Sequence, residues 1–175
     1  DAYAAAVRPL TPEITLMDSA QVADAVLTSQ ADLGIVLLSI QPSEAFSPPL
    51  AWGEAEAILI GWEAVVLVTH PLRQMPGLDS DTVAQVLSDE IQTWEELGSG
   101  QGSIELLGRG EGAPSREALM GSLGLDSLSS RLELEPNDAE ICRQVASRPL
   151  SLGWIGQSAL TDRCHPLSLD SIQPT

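Results

Sequence analysis

The chain has 175 residues, 43% of them hydrophobic and 19% charged, which is typical of one packed domain or two small lobes and not of a disordered chain. All eight basic residues are arginine, and 25 acidic residues bring the net charge to −17, which argues against a nucleic acid or an anionic membrane surface as partner. No apolar run reaches the roughly 18 residues that a membrane span needs, and the absence of a signal peptide also fits a secreted protein after cleavage.

The first 70 residues predict helices and apolar strands in alternation. Proline at position 9 ends the first helix, and Ser19 caps the second, whose apolar residues recur at helical spacing. The strands are short and apolar, as in a buried sheet. The predicted helices cover 2–10 and 19–30, and the predicted strands cover 14–18, 32–38, 55–60 and 63–69.

The remaining residues continue the alternation. Asp79 or Ser80 caps a helix, a turn carries Trp94, and Asn137 or Asp138 caps a later helix. The predicted helices cover 81–89, 114–124 and 138–148, the predicted strands cover 103–108, 132–134 and 150–155, and the tail from 166 adds one more strand. This order predicts an α/β fold with mostly parallel sheets flanked by helices, whose ligands bind beyond the carboxyl ends of the strands.

Catalytic and metal-binding patterns are absent from the sequence. No nucleophile elbow, phosphate-binding loop, dinucleotide fingerprint or zinc-protease motif occurs. Cys142 and Cys164 are 22 residues apart and form no metal-ligand pattern with the two histidines, so either one disulfide or two buried thiols fits them. We therefore predict no catalytic residue, no metal and no cofactor. A hydrolase that uses Ser115 and a histidine is an alternative that ranks below the two binding functions derived in the following paragraphs.

Small hydroxyl and arginine side chains follow several predicted strands. Free N–H groups and the positive dipole end of a helix N-terminus bind anions, and an arginine adds a charge-assisted hydrogen bond. The alternative to an anion site is that each serine only caps a helix and each arginine is only a surface charge. The residues that point to an anion site are Asp18, Ser19, Ser39, Arg109, Ser115 and Arg116.

Four motifs, in the same order and with similar spacing, resemble the phosphate-binding subfamily of bacterial periplasmic substrate-binding proteins. TWEELG at 93–98 is similar to the family's T/S-W-x-E-L-G, and RGEGAPSREAL at 109–119 is similar to R-x-x-x-S-G-T-R-x-x-F. VASRP running into LGWIG, at 145–156, and the segment 18–35 are similar to two further family motifs. The resemblance covers most of the chain.

The resemblance implies a two-lobed, type II periplasmic-binding-protein fold, with 1–60 plus 154–175 as one lobe and 61–153 as the other. It places Ala113 with the residues above at a small oxyanion such as phosphate in the cleft between the lobes. It further implies a membrane ABC permease as partner for transport or sensing, without insertion of this chain into the membrane. The implied location is periplasmic or extracellular, and a lipid anchor on a full-length precursor is an open alternative.

Three departures from the family motifs favour a second function. Ala113-Pro114 replaces a Ser-Gly pair, which removes a hydroxyl and a backbone donor. Asp18 replaces a glycine, and the first strand of lobe 1 is missing, either trimmed or lost. The alternative is therefore a degenerate binding-protein-like domain that binds another protein and no small ligand.

Overall fold

A computed structural model describes residues 13–15, 17, 19–36, 55–73, 75–172 and 174. None of the described helices is long and apolar enough to cross a membrane. The helices are α1 (Ser19–Leu27), α2 (Ser80–Leu87), α3 (Pro114–Leu123) and α4 (Asp138–Val145), with a 3-10 turn at Gln157–Ala159. The strands are β1 (Val65–Thr69), β2 (Glu105–Gly108), β3 (Glu133–Leu134), β4 (Ser151–Gly156) and β5 (His165–Pro166).

The five strands form one mixed sheet in the order β3-β2-β4-β1-β5. Strand β2 runs parallel to β3 and β4, whereas β1 runs antiparallel to β4 and β5. The prediction of a mostly parallel sheet is thus corrected, since two of the four pairings in the described sheet are antiparallel. The register aligns Leu107 with Gly153 and Thr69 with Leu152, so β2 and β4 end at one edge of the sheet and β1 ends at the opposite edge.

Helices cover both faces of this sheet. On one face Leu67, Leu106 and Trp154 pack with buried residues of α2 and α3. On the other face Val68, Leu107 and Ile155 pack with buried residues of α4. Alternate residues of each strand thus enter separate hydrophobic clusters, as the two-residue period of a strand requires. The prediction of an α/β fold with flanking helices is confirmed.

Local sequence determines where the helices begin. The Asp79 carboxylate accepts from the backbone N–H of Thr82 at 2.7 Å, and the Asn137 side chain accepts from that of Glu140 at 2.8 Å. Both residues satisfy N–H groups that a helix leaves open at its start. Helix α3 begins differently, because Ala113 offers no side-chain cap and Pro114 stands at the first helical position.

A disulfide joins α4 to the loop before β5. It pairs Cys142 with Cys164, and both residues are buried in the cluster beneath α4. This resolves the two alternatives that the sequence left open, because no free cysteine remains in the described part of the chain.

Three strand predictions in the first part of the chain are wrong where the structure describes them. The described residues of 14–18, 32–38 and 55–60 belong to no strand. Ile58 and Ile60 are exposed there, and Gly34 lies against Val22 of α1. An apolar extended segment becomes a strand only when another strand pairs with it, which a local pattern does not determine. The predicted helix 2–10 lies outside the described residues.

The predicted division into two lobes stays a prediction. The described sheet contains residues 154–156 and 165–166, which the division assigned to lobe 1 together with 1–60. One sheet therefore contains strands that the predicted division assigned to both lobes.

Candidate anion-binding site

Three elements meet at the edge of the sheet where β2 and β4 end. Arg109 follows the last residue of β2, and Gly156 is the last residue of β4. Asp138 is the first residue of α4, which packs on both strands. Because β2 and β4 are parallel, their carboxyl ends lie together, as in other α/β folds that bind ligands at this position.

Arg109 is held at this edge but keeps one unsatisfied nitrogen. Its Nε lies 3.6 Å from Asp138 Oδ1, and each of the two side chains is 23% exposed. Its backbone oxygen accepts from Arg116 Nη1 at 3.1 Å. Arg109 Nη1 is buried and has no acceptor among the described residues. Because buried donors are nearly always hydrogen-bonded, this nitrogen indicates a place for an acceptor.

Two carboxylates hold the end of β4. Asp138 Oδ2 accepts from the backbone N–H of Gly156 at 2.6 Å. The Glu63 carboxylate accepts from the backbone N–H of Ser158 at 3.1 Å and also from its hydroxyl. A side chain on Gly156 would meet both carboxylates, with Glu63 Oε1 at 2.6 Å and Asp138 Oδ2 at 3.4 Å from its first carbon. Glycine is therefore required where these two groups converge.

The N-terminus of α3 lies beside Arg109 in the chain and offers few donors. The backbone N–H of Ala113 donates to Gly110 O at 3.3 Å, and that of Gly112 donates weakly to Glu117 at 3.4 Å. Pro114 has no N–H. Neither the hydroxyl nor the backbone N–H of Ser115 has a partner among the described residues. Ser115 and the buried Arg109 Nη1 are thus two groups at this edge whose hydrogen bonds the described residues leave open.

A groove of about 440 Å³ is lined in part by Arg116. Its wall combines the charged side chains of Arg116 and Glu111 with Leu128, Leu132 and Leu134. Leu134 is exposed, and its strand β3 is an edge strand of the sheet. Arg116 therefore makes two kinds of contact. Its Nη1 donates to the Arg109 backbone oxygen, and its side chain also lines this groove.

The structure brings some of the predicted site residues together and leaves others undescribed. Arg109 and Ala113 lie in the loop between β2 and α3, and Ser115 and Arg116 lie in the first turn of α3. Asp18 and Ser39 lie outside the described residues. Ser19 begins α1 as predicted, and its side chain is not described.

Two residues at the site were missed by the sequence analysis. Asp138 was considered only as a helix cap, although Asn137 takes that role and leaves the aspartate free for Arg109. Glu63 was one of many acidic residues. One sequence signal pointed to Asp138: two polar residues stand together at the start of α4, and one cap needs only one of them. That this helix start lies beside the ends of β2 and β4 becomes known only with the strand order.

The TWEELG motif stabilises a turn and does not contribute to this site. Trp94 is fully buried, and its Nε1 donates to Leu150 O at 2.9 Å. The Glu96 carboxylate accepts from the backbone N–H and the hydroxyl of Thr93 at 2.9 and 2.7 Å. These hydrogen bonds, that from the Thr93 hydroxyl foremost, lower the pKa of Glu96. The motif is explained by packing at the opposite edge of the sheet.

Metal chemistry finds no support in the residues that the structure describes. They contain no group of three or more histidine, cysteine or acidic side chains placed to hold a metal ion. In the described residues the site consists instead of Arg109 with one buried nitrogen lacking an acceptor, Ser115 with its donors open, and two carboxylates already engaged by backbone N–H groups. This arrangement suits reversible binding of a small acceptor-rich molecule.

The comparisons with known proteins agree with the resemblance. The chain is 20% identical over 133 residues to the phosphate-binding protein PstS of Borreliella burgdorferi, covering 69% of this chain and 48% of PstS. A Clostridium perfringens structure, named for a phosphate ABC transporter substrate-binding protein with bound phosphate, matches with TM-score 0.77 and 19% identity over 90% of this chain and 63% of that one. The structure of PstS from Borrelia burgdorferi matches with TM-score 0.57 and 20% identity over 65% and 49%. No protein-family model matches the chain.

These comparisons establish the fold. The chain spans about half the length of the curated relative and less than two thirds of each of these solved structures. The similar proteins are named as binding proteins and not as enzymes, in agreement with the prediction for this chain. The chain therefore has the fold of the phosphate-type substrate-binding proteins of ABC transporters, and the resemblance inferred from its motifs is confirmed.

Proposed function

We propose that this chain is the ligand-binding part of an extracytoplasmic solute-binding protein that takes a small oxyanion, with phosphate as the first candidate. The observation that carries the proposal is the buried Arg109 Nη1, which finds no acceptor in the part of the chain that the structure describes and lies where β2 and β4 end. An oxyanion supplies the acceptor and the opposite charge together. Open donors on Ser115 add a second point of attachment.

The net charge of −17 does not oppose such binding. Charges more than about 8–10 Å from the ligand are largely screened by salt, whereas a contact to a partly buried guanidinium is not. The acidic surface then serves solubility, and one arginine determines the local potential.

The rest of the binding site belongs to the proposal as well. We assign Asp18, Ser19 and Ser39 to the opposite wall of a cleft between two lobes, on the basis of the motif resemblance. The substitution of Ala113-Pro114 for Ser-Gly removes two donors, so we expect weaker binding than a complete motif would provide. Losing one hydrogen bond to a charged ligand costs roughly 1.5–3 kcal/mol.

The Cys142–Cys164 disulfide supports a periplasmic or extracellular location. Disulfides persist in oxidising compartments and are rare in the cytosol. From that location the loaded protein would deliver its ligand to a membrane ABC permease, or report it to a sensor.

A second candidate function is a protein-interaction domain that keeps the fold without a small ligand. Helix α3 favours it, since Ala113 has no side chain to offer and Pro114 has no N–H. Asp138 favours it too, because it already supplies an opposite charge to Arg109.

A thermal-shift titration distinguishes the two candidates. Phosphate, sulfate and molybdate are titrated into the wild-type chain and into Arg116→Ala. The matched control is Arg163→Ala, which removes an exposed arginine in the loop before β5. At 100 times the dissociation constant a ligand stabilises by about 2.7 kcal/mol, or roughly 5–10 °C for a chain of this size. We expect a shift with one oxyanion that Arg116→Ala reduces and Arg163→Ala retains, because Arg116 supports the Arg109 backbone.

No shift with any anion, at concentrations up to the millimolar range, would contradict the solute-binding proposal. In that case a search for a protein partner follows. If the anion raises the melting temperature of Arg116→Ala as much as that of the wild type, Arg116 does not contribute to the site.

A further inference from the structure

The carboxylate of Asp138 is fixed in place by groups other than Arg109. Its Oδ2 accepts from the backbone N–H of Gly156 at 2.6 Å. Asp138 is also the first residue of α4, where the positive end of the helix dipole stabilises a negative charge. The carboxylate therefore stays where it is whether or not Arg109 turns toward a ligand.

The ion pair between Asp138 and Arg109 is loose. Its 3.6 Å separation exceeds the roughly 2.7–2.9 Å of a good charge-assisted hydrogen bond. Meanwhile Arg109 Nη1 points to no acceptor among the described residues. The guanidinium is thus compensated in charge by Asp138 but is not saturated in hydrogen bonds.

We infer that Asp138 is a positioning residue that competes with the bound anion for Arg109 and thereby lowers the anion affinity of the site. The inference rests on the proposed function. Without ligand, the carboxylate neutralises an arginine that is three-quarters buried. With an anion bound at Arg109, the same fixed carboxylate becomes a like charge close to the ligand, and like charges in a partly buried site repel strongly.

This competition makes an unusual prediction for a residue beside a binding site. Removing an ordinary ligand contact weakens binding, whereas removing a competitor strengthens it. Asp138→Asn keeps an oxygen that can accept from the Gly156 N–H but removes the negative charge. We expect a melting temperature lowered by a few degrees without ligand, because Arg109 loses its counter-charge, and a dissociation constant for inorganic phosphate that falls about fivefold.

Glu140→Gln is the matched control. It lies on the same helix, is as exposed as Asp138 and makes the same change in net charge, but its partner is Arg143, whose side chain is 58% exposed and which lies five residues further along the helix than Asp138. We expect its phosphate dissociation constant to stay within about twofold of the wild-type value, because the lost charge is screened there. Asp138→Ser, which retains a small polar residue at the helix start, provides a second variant if the asparagine protein is poorly folded.

Calorimetric titration with inorganic phosphate, together with melting temperatures, decides between the outcomes. Tighter phosphate binding in Asp138→Asn or Asp138→Ser, with Glu140→Gln unchanged, supports the inference. A lower melting temperature without any gain in affinity would assign Asp138 a purely structural role and overturn it, while wild-type binding would leave the proposed function intact. Absence of phosphate binding in the wild type and in all variants would overturn both.

Discussion

Two loops at opposite edges of the sheet each hold an arginine, and they use it differently. After β1, each of the three guanidinium nitrogens of Arg73 donates within the protein: Nε and Nη2 donate to Pro149 O at 3.2 and 2.9 Å, and Nη1 donates to Ser99 O. Its guanidinium also lies 3.9 Å from the centre of the Trp94 ring. After β2, Arg109 keeps a buried nitrogen for which the described residues supply no acceptor.

The difference separates a structural arginine from one that is available to a ligand. Both residues follow a strand, and both lie near motifs shared with the same family of binding proteins. Counting the hydrogen bonds of each guanidinium distinguishes them, because a buried donor without a partner costs free energy that something else must recover.

Removing the disulfide has the largest expected effect on stability, because it joins α4, which begins beside Arg109, to the loop before β5. Replacing Cys142 and Cys164 together by serine should lower the free energy of unfolding by about 3 kcal/mol, the chain-entropy cost of a loop of this length. Urea denaturation of the two proteins measures the difference. A loss under about 1 kcal/mol would mean that α4 is held by packing alone.

Arg73→Gln should have the next largest effect. It removes several backbone hydrogen bonds and the contact with Trp94, so we expect a loss of about 2 kcal/mol in the free energy of unfolding. The stabilisation by phosphate should equal that of the wild type, since Arg73 lies at the other edge of the sheet. A variant with normal stability but a reduced phosphate shift would reverse the roles assigned to the two arginines.

Arg109→Gln should have the opposite pair of effects, with stability retained and phosphate binding lost. We expect the free energy of unfolding to change by less than about 1 kcal/mol, because the ion pair with Asp138 is loose and partly exposed. The phosphate shift should disappear. Thermal melts with and without phosphate, run beside Arg73→Gln, give both quantities, and a retained phosphate shift would contradict the account.

The smallest effect concerns acid stability near the groove. The Ser129 hydroxyl, at 2.6 Å, and Arg131, at 2.7 Å, lower the pKa of Asp89. A folded-state pKa below the unfolded one adds stability above about pH 4, and this stability is lost as the pH falls through the folded value.

Asp89→Asn should therefore show a shallower loss of stability than the wild type as the pH falls below about 4. Asp89 has a positive φ of 69°, which asparagine also tolerates, so the backbone should not change. Urea midpoints across this pH range test the prediction, and equal slopes in the two proteins would refute it.

The sequence predicted the helices and the strands of the sheet well, and it predicted the apolar segments before the sheet poorly. Asp79, Asn137 and Pro114 mark helix starts through their own side chains or backbone, so residues 80–87, 114–123 and 138–145 could be located directly. Strand pairing is not local, and for this reason the apolar segments 32–38 and 55–60 were mistaken for strands.

The site was predictable in part for the same reason. The motif around Arg109 placed Ala113, Ser115 and Arg116 together at the start of α3, because these residues are neighbours in the chain. Asp138 reaches Arg109 only through the packing of α4 against β2 and β4. The disulfide likewise depends on where α4 and the loop before β5 come to lie.

The most direct test of the central claim is an anomalous difference map from a crystal soaked in arsenate, an oxyanion of the same shape and charge as phosphate. The account predicts an arsenate whose oxygen lies about 3 Å from Arg109 Nη1, with Ser115 as a second donor, and none near Arg73. An arsenate bound elsewhere, with Arg109 Nη1 still lacking an acceptor, would contradict it.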